Sequence, residues 1–254
     1  MADNPNIITM VDRVGEILEF IFRNDEPVGV SKIAASLDLP KATVFRLLTT
    51  LQKWNMVEKY RDTDDYIMGK AMIRYGSKAK SEIDLIEIAA KPLMDLSNEI
   101  GETANLAIEY NGYVMTLLSE EGESSVLVSK LIPISPLNCS SMGKMFLSHF
   151  SDEELENYFK SDLVKKRTQN SILTLDEYLV EKKEILKENV AYDNEEYEYG
   201  LSCMACPIKD KNNNIIAAIS VSAPTSRLEY KGREYIREKL IKTAKIISEN
   251  AKYL

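Results

Sequence analysis

Two short apolar periodicities, separated by a single proline, most constrain what this chain can fold into. The segment VSKIAASLDL places Ile33, Ala34 and Leu37 on one side of a short helix, with Ser31 expected as its cap. After Pro40, the segment KATVFRLLTTLQKW spaces apolar residues at i, i+3, i+4 and i+7, which predicts a second helix with a buried stripe. The stripe consists of Val44, Leu47, Leu48 and Leu51. Two short helices joined by a tight turn predict a helix-turn-helix.

The flanking segments extend this motif. TMVDRVGEILEFIF predicts an earlier helix, with Thr9 as its N-cap. Its predicted apolar stripe is Val11, Val14, Ile17, Leu18 and Ile21. Between Met56 and Met68 the sequence alternates in two short runs around a polar turn at 62–65, which predicts a β-hairpin. A hairpin that follows the second helix is a wing, so we expect an N-terminal all-α winged helix-turn-helix with a β wing.

The exposed side of the second helix has the composition of a surface that reads DNA. It is small, polar and cationic, and it is centred on Ala42, Arg46, Thr49, Thr50 and Lys53. Arginine and lysine can reach phosphates or guanine edges, and threonine methyls can contact thymine methyls. From residue 31 to 61, six cations and two anions give a local charge of +4, although the whole chain carries −8. A polar side alone is common on surface helices, but its combination with the turn and the wing favours DNA binding.

The rest of the chain predicts a second domain, as the length of 254 residues also suggests. IDLIEIAAKPLMDLSNEIG predicts a helix that stops at Gly101, with Pro92 either kinking it or marking its start. TANLAIEYNGYVMTLLSE predicts a hairpin at Asn111-Gly112, SSVLVSKL a third strand, and IPISPLNCS a loop. SMGKMFLSHF and TLDEYLVEKKEILKENV predict helices, the latter capped at Thr174. LSCMACPIKD and IIAAISVSAP predict two strands, and one helix at 229–250 closes an α+β domain with an antiparallel sheet.

The pair Cys203 and Cys206 does not predict a metal or redox site. In a strand, alternate residues face alternate sides, so these two thiols point in opposite directions. A zinc site would also need two further ligands, and Cys139 and His149 are the only other cysteine and histidine. We therefore predict no metal and no cofactor. Three cysteines, no secretory signal and no long apolar run predict a cytoplasmic protein.

One face of the predicted sheet suggests a ligand pocket. In IIAAISVSAP, the face that holds Ile216 and Ala218 turns from aliphatic to hydroxyl at Ser220 and Ser222. A half-exposed face with solvated serines would show the same pattern. If Cys203 shares that face, the strands present a thiol and two hydroxyls together, with Asp193 expected at the edge of the sheet. The backbone N–H groups of Ser141 and Met142, at a helix start, could hold a carboxylate.

These segments resemble the isocitrate lyase regulator (IclR) family of bacterial transcription factors over nearly the whole chain. The resemblance is carried by VDRVGEILEFI, GVSKIAASLDLPKATVFRLLTTLQKWNMVEK, YIMG, NCSSMGKMFLS and AYDNEEYEYGLSCMACPI. It implies a DNA-binding domain at 1–69, a linker helix at 70–82 that helps two chains pair, and a domain at 83–254 with a GAF-like antiparallel sheet. It also implies a homodimer or dimer of dimers on a pseudopalindromic double-stranded operator, and a small carboxylate, keto acid or sugar acid as effector. Such a regulator is expected to repress a catabolic operon.

The resemblance and the exposed helix side together assign candidate residues. The expected DNA contacts are Ser31, Lys32, Lys41, Ala42, Thr43, Phe45, Arg46, Thr50, Lys53, Lys59 and Arg61. The expected effector contacts are Ser141, Met142, Asp193, Cys203, Ser220 and Ser222. The sequence departs from the usual family pattern at Phe45, which bears on the operator sequence, and at Asn138, Met142 and Asn189, which bear on pocket volume and ligand identity.

Two other classes of function remain open at this point. The protein could be an enzyme that uses Cys203 as its nucleophile, although the only histidine, His149, lies in a segment with no recognisable motif. It could also be a small-molecule sensor module with no DNA role.

Overall fold

The chain forms two compact units, Met1–Glu82 and Ile83–Leu254. The computed structural model describes residues 7–80, 83–123 and 134–252. The strand predicted in SSVLVSKL and the helix division predicted near Ser81 fall outside the described residues. Within the described ranges, no helix is long and apolar enough to cross a membrane.

The first unit is the predicted winged helix-turn-helix. Its elements are α1 (Thr9–Arg23), β1 (Val28–Gly29), α2 (Val30–Ser36), α3 (Lys41–Lys53), β2 (Val57–Lys59), β3 (Asp65–Met68) and α4 (Ala71–Lys80). The four predicted stripe residues of α3 are all buried, together with Ile33 of α2 and Ile17 of α1. The β1 strand extends the hairpin into a three-stranded sheet with the order β1-β3-β2.

Three details of this unit differ from the sequence predictions. Thr9 is the first helical residue of α1, which begins without a side-chain cap. Ser31 lies inside α2, where Gly29 occupies the cap position in an extended conformation. Val11 is 65% exposed because the apolar core reaches α1 only from Val14 onward.

The second unit is a six-stranded antiparallel sheet between two layers of helices. Its elements are α5 (Asp84–Ile100), β4 (Thr103–Tyr110), β5 (Tyr113–Glu120), β6 (Ile134–Pro136), α6 (Ser141–Leu147), α7 (Asp152–Lys160), α8 (Leu175–Glu188), β7 (Ala191–Asn194), β8 (Leu201–Lys209), β9 (Ile215–Pro224), α9 (Thr225–Lys231) and α10 (Arg233–Asn250). The strand order is β6-β5-β4-β9-β8-β7. The helices α5 and α10 cover one face, and α6, α7 and α8 cover the other. The predicted α+β class is therefore confirmed.

Several boundaries of the second unit follow from local backbone chemistry. The hairpin at Asn111-Gly112 is confirmed, with positive φ at both residues, and α8 has the predicted Thr174 cap as part of a capping box. Pro92 lies inside α5 and does not mark its start. The single helix predicted at 229–250 is wrong, because Gly232 adopts a φ of 88° and divides α9 from α10.

Three further features of the second unit were not predicted from the sequence. The predicted loop IPISPLNCS contains the edge strand β6. The helix α7 was not predicted, although Ser151 and Glu154 form a capping box that announces it. An extra residue in β9 shifts its register, since Ile208 pairs with Ala217 but Lys209 pairs with Ile215. Ile216 therefore packs with the cluster under α5 and α10, and its predicted place on the face of Ala218 is wrong.

Candidate DNA-binding surface and ligand pocket

The exposed side of α3 lies next to the wing and forms one continuous surface with it. Most of the expected contact residues are exposed, and Thr43 is half-buried. Those exposed are Ser31, Lys32, Lys41, Ala42, Phe45, Arg46, Thr50, Lys53, Lys59 and Arg61. A groove between α3 and the wing brings Ser31, Lys41, Phe45 and Lys59 together. The structure thus places residues of α2, α3 and the hairpin on one side of the first unit.

Thr49 and Thr50 of α3 use their hydroxyl protons within their own helix. Thr49 Oγ1 donates to the carbonyl of Phe45 at 2.8 Å, and Thr50 Oγ1 donates to the carbonyl of Arg46 at 2.9 Å. Because these hydroxyl protons are engaged by their own helix, the γ-methyls and the oxygen lone pairs are left to contact a partner. Phe45 is 54% exposed on the same side. This surface therefore combines apolar groups with the Arg46 guanidinium.

The wing cations already have local partners. Lys59 Nζ lies 2.5 Å from a carboxylate oxygen of Asp64, and this hydrogen bond raises the pKa of Lys59. The guanidinium of Arg61 lies over the Tyr60 ring at 4.9 Å, and Arg61 adopts a positive φ in the turn. Lys32, on α2, donates to Asn24 Oδ1 at 2.9 Å. All of these groups are at the surface, where solvent can exchange such pairs for phosphate contacts.

In the second unit, register alone aligns four polar side chains across four strands. Thr103 of β4 is directly opposite Ser222 of β9, Ser222 is opposite Cys203 of β8, and Cys203 is opposite Asp193 of β7. Cross-strand partners share a face, so this row points to one side of the sheet. Cys206, three residues after Cys203, is buried in the cluster on the opposite face. Strand alternation therefore separates the two thiols as predicted.

This row forms the floor of a cavity of about 80 Å³ that also includes the start of α6. All six expected effector residues line it: Ser141, Met142, Asp193, Cys203, Ser220 and Ser222. Ser140 caps α6, and its Oγ accepts from the N–H of Gly143 at 3.2 Å. A Cβ on Gly143 would lie 2.4 Å from Leu137 backbone atoms, so glycine is required for α6 to approach this closely.

Burial raises the pKa values of the two titratable side chains on the cavity floor, Asp193 and Cys203. Asp193 is buried, and burial raises the pKa of its carboxyl to about 6, although the N–H of Glu196 donates to Oδ1 at 2.8 Å. Burial, and then the neighbouring Asp193, raise the pKa of the Cys203 thiol well above its usual value. The thiolate that a cysteine nucleophile needs is therefore disfavoured. His149 follows α6 with an exposed side chain, and its Nδ1 lies 2.9 Å from Ser148 Oγ.

A buried ion cluster that was not predicted from the sequence lies behind the cavity. Lys144 of α6 is fully buried, and its Nζ contacts Glu196 Oε1 and lies 2.6 Å from Glu181 Oε2. Burial, with Asp193 and Glu181 as further contributors, raises the pKa of Glu196 to about 7. One signal was present in the sequence, since a lysine interrupts the otherwise apolar helix pattern SMGKMFL.

Part of the cavity wall, on the central strands β4, β5 and β9, was also not predicted from the sequence. Asn105 of β4 is opposite Ser119 of β5 and Ser220 of β9, which makes a second polar row two residues from the first. All three residues line the cavity, as does Thr103. The signal was the alternation of Thr103 and Asn105 along one face of β4.

The three departures from the family pattern have different structural roles. Met142 is buried and lines the cavity. Asn138 is buried, and its Nδ2 donates to the carbonyls of Lys165 and Ile172, which ties the segment after α7 to the start of α6. Asn189 is the C-cap of α8, with a φ of 57°. It therefore occupies a left-handed position that glycine would also accept.

Comparisons with known proteins agree with this architecture. Residues 10–60 match the model of the IclR helix-turn-helix domain, and residues 77–249 match that of the bacterial transcriptional regulator IclR C-terminal domain. The DNA-binding transcriptional repressor YiaJ of Escherichia coli (strain K12) is 32% identical over 247 residues, which cover 91% of this chain and 84% of that protein. The HTH-type transcriptional repressor AllR of Salmonella paratyphi A is 31% identical over 215 residues, covering 84% of this chain and 78% of that protein.

Among solved structures, IclR of Thermotoga maritima is 30% identical and has a TM-score of 0.66, with 96% of this chain and 99% of that chain covered. The chain therefore belongs to the IclR family of bacterial transcriptional regulators, and its first unit is a DNA-binding domain of that family.

Proposed function

We propose that this protein is a ligand-responsive repressor that binds a pseudopalindromic operator as a homodimer or a dimer of dimers. The observation that carries the proposal is the presence, on one chain, of the exposed helix α3 and, in a separate unit, a partly open cavity lined by polar side chains. The repressor names of YiaJ and AllR support the direction of regulation. A regulator of this kind acts in the cytoplasm, on the operon whose substrate or product fills its cavity.

On the DNA side, α3 enters the major groove and the wing contacts the flanking backbone. Arg46 and Lys41 are the leading cationic contacts, and Thr43 and Thr50 are the leading contacts to base edges and methyl groups. All four lie on the exposed or half-exposed side of α3. A two-fold pair of such domains explains a pseudopalindromic site, because each half-site is read by one chain.

On the ligand side, the effector is a small carboxylate, keto acid or sugar acid. Its carboxylate accepts hydrogen bonds from the backbone amides of Ser141 and Met142 and from the Ser222 hydroxyl. Asp193, whose pKa is raised to about 6 by burial, donates to the same group in its protonated form. The small volume of the cavity favours a compact metabolite over a large one.

The response follows from linkage between the two sites. A ligand changes operator affinity only by as much as its own affinity differs between the DNA-bound and the free arrangement of the domains. The linker helix, which includes α4, connects the two units along the chain. Bound effector therefore selects the arrangement that releases the operator.

The experiment is a promoter-fragment retention assay with the purified full-length chain. The wild type should retain a specific fragment and release it when the effector is added. Arg46→Ala should lose retention, whereas Asp193→Ala should retain DNA but fail to release it. Failure to retain any fragment would favour a sensor module without a DNA role, and an unaltered response of Asp193→Ala would relocate the pocket.

A further inference from the structure

The direction of the hydrogen bonds along the cavity wall determines which wall residues can donate to a ligand and which can accept from it. Asn105 Nδ2 lies 3.4 Å from Ser220 Oγ and 3.3 Å from Ser222 Oγ. An amide nitrogen only donates, so both serine oxygens accept from it. The hydroxyl protons of Ser220 and Ser222 are then directed away from Asn105, and the Ser222 hydroxyl also has the Cys203 sulfur within hydrogen-bonding reach. On β9, therefore, the wall offers donors, which suit an anionic group.

At the other end of this hydrogen-bond network, on β5, the cavity wall offers acceptors in place of donors. Ser119 Oγ donates to Asn105 Oδ1 at 2.7 Å, so its proton is already used. What Ser119 presents to the cavity is its oxygen lone pairs, which accept a hydrogen bond from a ligand. The exposed Glu121 carboxylate lines the same end of the cavity. On β5, therefore, the wall suits a ligand group that donates.

The cavity also has room for a small ligand. Its volume is about 80 Å³, and a single water needs roughly 10–15 Å³. The space corresponds to a ligand of about five to eight water-sized groups, which is the size of a three-carbon acid.

We propose that the effector is a small hydroxy acid, bound with its carboxylate toward Ser220 and Ser222 and a hydroxyl donating to Ser119. This inference rests on the carboxylate pocket of the proposed function and narrows its ligand class. A keto acid has only hydrogen-bond acceptors at the end away from its carboxylate, so it would leave the Ser119 oxygen without a donor. Sites that are built to bind a hydroxyl discriminate against analogues that lack it.

The test is calorimetric titration of the wild-type chain with three acids of equal carbon number. Pyruvate has a ketone, lactate has one hydroxyl, and glycerate has two hydroxyls at different distances from the carboxylate. We expect the dissociation constants to fall from pyruvate to lactate to glycerate. Each added hydrogen bond should be worth roughly threefold to tenfold in affinity.

Two variants test the residue assignment. Ser119→Ala should weaken glycerate binding by roughly threefold to tenfold while leaving pyruvate binding unchanged. Asn105→Asp should weaken all three acids, because a carboxylate at 105 accepts from both serines and repels the anion. The matched control is Ser226→Ala, an exposed serine on α9, which should change nothing.

Three results would overturn the inference. The first is pyruvate binding the wild type as tightly as glycerate does, the second is Ser119→Ala weakening all three acids equally, and the third is Ser119→Ala weakening none of them. Failure of all three acids to bind the wild type would reject the carboxylate pocket of the proposed function itself, and the hydroxy-acid assignment with it.

Discussion

Replacement of Lys144 by methionine should destabilise the second unit more than any exposed lysine change. Lys144 Nζ is fully buried between Glu196 and Glu181, and Asp193 lies on the cavity side of the same cluster. Methionine has a similar length and fills most of the same space. The change therefore removes a positive charge and leaves the carboxylates without their partner.

The expected magnitude follows from the burial of the cluster. Removing one member of a buried ion pair costs about 3–5 kcal/mol, since the remaining charge stays desolvated. For a domain of this size, each kcal/mol lowers the Tm by about 2–4 °C. The Tm of the second unit should therefore fall by roughly 6–20 °C.

Differential scanning calorimetry of the full-length chain measures this change. Lys160→Met is the matched control, because Lys160 pairs with Glu156 on the exposed side of α7 and its loss should alter the Tm little. The double variant Lys144→Met/Glu196→Gln should recover part of the loss, because it also removes the orphaned carboxylate. Equal Tm values for the two methionine variants, or no recovery in the double variant, would refute the argument.

Four other outcomes are expected. Arg46→Ala should weaken specific operator binding by about 1–3 kcal/mol in a gel-shift titration. If Arg46→Ala and the remote control Lys183→Ala bind the operator equally well, Arg46 does not contribute to base recognition. Deoxyuridine in place of thymine within the operator should lower the affinity of the protein for it, because Phe45 and the α3 threonine methyls lose contact with the thymine methyl groups. A loss of affinity no greater than that from the same change in flanking DNA would contradict this prediction. The pKa of Asp193 is about 6 in the folded chain against 3.8 for the free group, so between these values the folded state holds a proton that the unfolded state has lost. The free energy of unfolding should therefore fall as pH rises from about 4 to 6. In thermal scans across that range, the Tm of Asp193→Asn should depend less on pH than that of the wild type. Asn189→Ala should cost about 1 kcal/mol in denaturant unfolding, because alanine resists the left-handed conformation, whereas Asn189→Gly should cost nothing.

The predictable part of this fold depends on local periodicity. The stripe of α3, the Asn111-Gly112 turn and the Thr174 cap were visible because each depends on residues within one or two turns of each other. The break at Gly232 and the bulge at Ile216 were missed for a different reason. The break is a backbone conformation of one glycine, and the bulge is one extra residue in the β8–β9 hairpin, so neither changes the apolar periodicity from which the elements were predicted.

In the candidate pocket too, some residue positions were predictable from local patterns and others were not. Alternation within β8 was sufficient to separate Cys203 from Cys206, and the pattern of β9 placed Ser220 and Ser222 on one face. By contrast, the position of Asn105 opposite Ser220 depends on a pairing across 115 residues.

The sequence by itself determined the class of each unit, because amphipathic period and turn chemistry act over a few residues. Only the tertiary structure decided the partners of Lys144 and the direction of the hydrogen bonds around Asn105. Those interactions join strands and helices that are distant in the chain. Their protonation and polarity depend on burial, which exists only once the sheet and its helices have packed.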